Sequence, residues 1–277
     1  MMKLIISADD FGLTPGINKA IVELFENDAL SDASILITAN YVNDAIAKLK
    51  GRFHDRIGLH LCLYGQKPAS PPEQIPTLIY GENLINKSAL IRGILFGSVS
   101  SKDIACETRA QINRMFEIGI PPTYLDSHGH FHVVPKIAKI VAPIAHEYGI
   151  PVRRPIEFAN SMKTGFSGLI RMPIVLAISI ASLITFKMYY GMNARTDQFI
   201  GLIGSGKKNY FKVVHNYLSK IQASGNYVSI EVLCHPGHLD DALIQYGDKG
   251  WNRDDDYNTA MLLKKHFPTY IWKENMK

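Results

Sequence analysis

The sequence is short of cysteine: Cys62, Cys106 and Cys234 are the only three in 277 residues. They are far apart, odd in number and outside any CxxC pair, which argues against a disulfide framework or a zinc knuckle and suits a reducing cytoplasm. A glycine-rich nucleotide fingerprint is missing, as is any internal repeat, so a dinucleotide-binding sheet is disfavoured. The formal charge is only +5, and basic residues are neither gathered in runs nor interleaved with aromatics. No nucleic-acid footprint therefore stands out. The N-terminus MMKLIISADDFG turns acidic after four or five apolar residues, too few for the h-region of a secretory signal, and the chain is expected to stay in the cytoplasm. A spanning helix needs about 20 apolar residues. Met172 to Phe186, flanked by Arg171 and Lys187, stops at fifteen. That length favours a buried core helix or a partner-facing helix; the sharper alternative is a surface segment that touches lipid or shields an apolar substrate. Peripheral membrane contact and a homodimer both stay open.

What is present suits one domain over residues 1–277, with 47% hydrophobic and 20% charged residues. The apolar run Lys3 to Ser7 is followed by Asp9-Asp10-Phe11-Gly12 and a Thr14-Pro15 helix start. Ile17, Ala20, Ile21 and Leu24 then recur at helical spacing. Strands follow at Ala33 to Thr38, Ile57 to Leu61, Thr123 to Ser127, Ile150 to Arg153, Tyr227 to Leu233 and Thr269 to Trp272. Helices fall near Val42 to Leu49, Ser101 to Ile118, Pro135 to Tyr148, Asn209 to Ala223 and Arg253 to His266. Gly65 to Pro76 reads as a functional loop, and residues 156–205 as an apolar helical insertion. Strands alternating with helices predict an α/β fold, a TIM-like (β/α) barrel with some irregularity, whose chemistry sits at the carboxyl ends of the strands.

Four polar clusters fall at such ends: Asp9-Asp10, His60 in GLHL, Asp126 to His132 (DSHGHFH), and Cys234 to His238 (CHPGH). A shared rim would bring them together. Adjacent carboxylates in apolar surroundings are costly unless a cation or hydrogen bonds compensate them, and a metal ion would remove the penalty. Asp10, His60 and His128 form a suitable three-ligand set for zinc or another divalent ion, leaving Asp9 to take a proton from water. Each cluster also has a plainer reading: a capping turn for Asp9-Asp10, a hydrogen-bonded core histidine for His60, packing beneath Pro236 for His235. For His128, His130 and His132, alternation in an extended segment predicts one shared side; the plainer reading is a solvated strand end.

In order, ADDFG, GLHL, DSHGHFH and CHPG resemble the YdjC-like carbohydrate deacetylases over nearly the whole chain, and the length and apolar insertion look closest to the hopanoid-biosynthesis-associated branch. The resemblance implies a YdjC-like barrel holding one divalent ion, Mg2+ or Zn2+, through Asp10, His60 and His128. It further implies Asp9 as catalytic base and His235 as proton donor to the leaving amine. Arg153 or Arg154 would pair with a site carboxylate or contact substrate, and His130 and His132 would support the site or touch the sugar. The implied substrate is an N-acetylated amino sugar, a chitooligosaccharide or a glycolipid of glycosyl-hopanoid type. Two other readings stand beside it: a different metal-dependent amidohydrolase or phosphoesterase, and a non-catalytic sugar- or lipid-binding protein.

Overall fold

The computed structural model describes residues 2–157, 166–191, 193–226, 228–247 and 252–270. Strand β1 (Met2–Phe11) is buried along nearly all its length. Helix α1 (Pro15–Glu26) follows because Thr14 caps it, accepting a hydrogen bond from the Ile17 amide, and Pro15 occupies its first turn. Its Ile17, Ile21 and Leu24 face the sheet, each fully buried side chain contributing about 1.5–3 kcal/mol.

The chain continues through β2 (Asp32–Ile35), α2 (Val42–Leu49) and β3 (Ile57–Leu61) to a hairpin of β4 (Ile79–Tyr80) and β5 (Asn83–Leu84). Then come α3 (Lys87–Phe96), α4 (Ser101–Glu117), β6 (Leu125–Ser127) and α5 (Pro135–Glu147). Helix α6 (Phe166–Thr185) runs into a π-helical turn, Phe186–Tyr190. It is followed by β7 (Gln198–Ile200), α7 (Tyr210–Ser224), β8 (Val228–Cys234), α8 (Asp241–Tyr246) and α9 (Arg253–His266).

Six strands form one parallel sheet in the order β6-β3-β2-β1-β8-β7. The α/β class expected from the alternation is present, but the closed barrel is not. The regular ladder stops at β6 and β7, and the arc between them is crossed by single-residue bridges, Leu125 to Val152 and Val152 to Ala194. The strand expected at Ile150 to Arg153 shrinks to that one bridging residue. Pro151 and Pro155 lack the N–H that a longer ladder needs. The sheet is thus a curled half-barrel.

Other boundaries shift for local reasons. β2 ends at Ile35 because Ala39 N–H turns back to the Leu36 carbonyl. The last strand reduces to a bridge between Leu4 and Thr269, and Trp272 lies outside the described residues. The hairpin, α3, β7 and α8 were not legible, being short or, for α3, burying only Leu90 and Gly93.

The apolar insertion is helical, but it is not a core helix. Among the described residues, Arg171–Tyr190 is the one helix long and apolar enough by length and composition to cross a membrane, with mean hydropathy 1.7 and only 28% of its window buried. The π-helical turn extends it beyond the uncharged run. One face packs inward through Val175, Ser179 and Ser182; the other is open.

Candidate active site

The site begins with a break in β1. Neighbouring residues of a regular strand point to opposite faces, so Asp9 and Asp10 should diverge. The register of β1 against β2 slips between Ala8 and Phe11, and Asp10 adopts a left-handed φ of 69°. A bulge of this kind re-aims a side chain, and both carboxylates reach the same centre. β3 supplies His60, the turn after β6 supplies His128, and the residue after β8 is His235.

Three ligand atoms converge. Asp10 Oδ1 lies 3.6 Å from His60 Nε2 and 3.2 Å from His128 Nδ1, and the two nitrogens are 3.3 Å apart. Asp10 Oδ1 is buried without a hydrogen-bond partner. His60 Nδ1 lies 2.7 Å from Asp126 Oδ1, which fixes that nitrogen as the donor and turns the Nε2 lone pair toward Asp10. Although burial opposes a charged imidazole, Asp126, Asp9 and Asp10 push the His60 pKa up to about 9. A pocket that holds a proton so firmly is one a cation can take over. An orphaned carboxylate oxygen and two imidazoles aimed at one point therefore fit a divalent ion, with room for water in an open position.

Asp9 sits beside this trio. Its Oδ2 is 2.7 Å from Arg153 Nη1, and its Oδ1 accepts from Ser34 Oγ at 3.2 Å. Burial alone would raise its pKa, but Arg153 and His60 hold the carboxyl well below the usual range. Asp10 is likewise held low against its burial by Arg253, whose Nη2 donates to Asp10 Oδ2 at 2.9 Å. His235 Nε2 lies 4.0 Å from Asp9 Oδ2. Its Nδ1 is 2.8 Å from Ser205 Oγ, which in turn donates to Asp256. Ser205 thus accepts from Nδ1–H. Burial pulls the His235 pKa down to about 4 and pushes that of Asp256 up to about 6.

Of the remaining sequence candidates, His130 lines the cavity. The alternation expected of His128, His130 and His132 fails, because β6 ends at Ser127 and His128–Val133 is a 3-10 turn with Gly129 and His130 at positive φ. Glycine makes that turn cheap. His132 is swung into the interior, where its ring bonds to Ser127 Oγ at 2.6 Å and the Arg153 carbonyl at 2.9 Å. Arg153 is fully buried, bonded to Asp9, Asp126 and Glu231. Arg154 donates to the Asp197 carbonyl. None of these last three lines the cavity; Arg153 pairs with the site carboxylate Asp9 and His132 sits behind it, two of the places expected for them, while Arg154 is bonded to a backbone carbonyl away from the cluster.

Sequence reasoning missed Ser34, Asp126, Ser205, Arg253 and Asp256 as site members. Asp126 had a signal, its position two residues before His128. The others had none.

The site opens into a cavity of about 370 Å³. Asp9, Asp10, His60, His128 and His235 line its floor; Ile174, Val175 and Ile178 of α6 line a wall.

A curled parallel sheet with an acid–imidazole cluster at its carboxyl rim defines an α/β protein of hydrolase-like architecture. The model of the YdjC-like protein family matches residues 3–271, and the chain belongs to that family. It is 28% identical to a carbohydrate deacetylase of Brevibacillus brevis over 247 residues, 88% of this chain and 84% of the relative. A chitooligosaccharide deacetylase of Yersinia enterocolitica is 27% identical over 246 residues, covering 88% of this chain and 85% of that protein. The fold matches a crystal structure from Enterococcus faecalis V583, described as a candidate cellobiose-phosphate cleavage protein, with TM-score 0.75 at 20% identity over 99% of this chain and 98% of that one. At that identity the likeness is one of fold alone.

Proposed function

We propose that this chain is a divalent-metal-dependent deacetylase that hydrolyses the amide of an N-acetylated amino sugar. The observation that carries the reading is the convergence of Asp10 Oδ1, His60 Nε2 and His128 Nδ1, with Asp9 alongside, on the floor of a ligand-sized cavity. Family membership and the names of the relatives support the reaction class.

Asp10, His60 and His128 would hold the ion, which when bound acidifies water and polarises the acetamide carbonyl. Asp9, kept anionic by Arg153, accepts the proton of the attacking water; the same ion pair makes it a weak base, so it depends on that acidification. His235 begins neutral with Nδ1–H toward Ser205, so its Nε2 first accepts the proton that Asp9, 4.0 Å away, has taken from the attacking water. It then passes that proton to the departing amine, which leaves Asp9 anionic and His235 neutral again. Asp126 and Ser34 hold His60 and Asp9 in place, and His132 and Arg153 brace them from behind. His130 contacts the sugar.

The substrate is lipid-linked, a glycolipid of glycosyl-hopanoid type, because the apolar wall of α6 suits a hydrocarbon aglycone better than a polar oligosaccharide. Acetate release from lipid-linked and soluble N-acetylglucosamine substrates, with and without added metal, tests this. Faster turnover of the lipid-linked compound is expected. Preference for chitooligosaccharides overturns the lipid assignment, and release from neither overturns the deacetylase reading.

A further inference from the structure

Among the described residues, nothing packs over the outer face of α6. From residue 173 to 184 its exposed positions are Pro173, Ile174, Leu176, Ala177, Ile180, Leu183 and Ile184, without one polar side chain among them. Leu176 and Leu183 are each 48% exposed and Ile174 is 65% exposed. A solvent-facing helix normally presents polar residues on that side. A second apolar row begins at the same cavity: Lys87 of α3 lines it, and Ile91 and Leu95 follow at helical spacing, with Phe96 84% exposed beside them. Lys87 and Ile174 both line this cavity, so each row starts from its lining.

The charges carried by the two helices themselves are all positive. Arg171 and Lys187 bracket the uncharged run of α6, Lys87 and Arg92 lie on α3, and Lys207 and Lys208 follow in the segment whose Ile203 and Ser205 carbonyls accept from Arg171. Neither α3 nor Arg171–Tyr190 contains an acidic residue. A two-fold contact between copies of this chain would set these cations against each other. An anionic headgroup layer would neutralise them while its acyl region receives the leucines and isoleucines.

We infer that the outer face of α6, with the exposed end of α3, docks on an anionic phospholipid bilayer and sets the cavity mouth at the lipid–water boundary. The helix lies along the membrane instead of crossing it, since its inner face packs on the protein and walls the cavity. This surface stands whether or not the cavity performs the reaction proposed above.

The test is sedimentation of the full-length protein with vesicles of phosphatidylcholine containing 30% phosphatidylglycerol (about that fraction, chosen to give a firmly negative surface potential). Binding is expected to these vesicles and to fall at least about tenfold with pure phosphatidylcholine or high salt. The double variant Leu183→Glu/Ile184→Glu, exposed and remote from the cavity, should lose at least about tenfold in partition while keeping wild-type acetate release from a soluble substrate. Equal partition of wild type and variant overturns the inference. So does a wild-type dimer in sedimentation velocity that the variant abolishes, because the face would then be covered by a second copy. Vesicle binding by a protein that releases no acetate retains the docking surface and rejects the reaction.

Discussion

Arg153 Nη1 and Asp9 Oδ2 meet at 2.7 Å although 144 residues separate them, and the guanidinium is completely buried. Arg153 also reaches Asp126 and Glu231, so one cation compensates three carboxylates behind the cavity floor. Burial works against its charge, but these carboxylates hold its pKa well above the usual arginine value. Removing it leaves buried negative charge unpaired. Arg153→Gln is expected to destabilise the fold by about 3–5 kcal/mol in urea unfolding. Arg153→Lys should recover only part, since an ammonium cannot reproduce the forked contacts.

Asp9→Asn keeps the shape and removes the proton acceptor. Acetate release should fall by about 10²–10⁴-fold, the usual share of a general base. Metal content measured by elemental analysis should stay at the wild-type level if the ion sits on Asp10, His60 and His128; loss of the ion in this variant would place it instead on the second convergent group, Asp9, His60 and Asp126.

Asp10→Ala and His128→Ala should do the reverse, stripping the ion. Loss of a supporting group around a metal already costs about 10–100-fold in affinity, so loss of a direct ligand should cost at least that. A titration with zinc or magnesium and a competing chelator reads the change. In the wild type, chelation should abolish activity and readdition restore it.

His132 predicts an acid-sensitive fold. Burial pushes its pKa from the ordinary 6.5 down to about 3. Between those values unfolded chains bind more protons than folded ones, so stability climbs with pH across the window. The contribution is complete above about pH 6.5 and is lost as pH falls toward 3. His132→Gln, whose amide can still donate to the Arg153 carbonyl, should reduce the slope of unfolding free energy against pH by up to about 1.4 kcal/mol per unit in that window. Denaturant titrations at intervals between pH 4 and 7, spanning the about 6.5 of a free imidazole, check it.

Periodicity alone made much of this protein legible. Ile17, Ile21 and Leu24 mark α1, and the Arg253–His266 helix falls where it was expected. The ADD, GLHL, SHGH and CHPG segments each lie at a strand end, as their apolar lead-ins imply. These are local properties, since side-chain spacing and capping act over a few residues. What tertiary structure alone decided is orientation and closure. Whether Asp9 and Asp10 share a face depends on a bulge against β2, and whether His132 points out or in depends on Gly129 and Ser127. Whether the barrel closes depends on proline-flanked Val152 finding partners in β6 and at Ala194. The α6 run has the same hydropathy buried or exposed, and only packing against the rest of the chain determined that one face would be left open. Each outcome is set by contacts between segments far apart in sequence, where no local pattern carries the information.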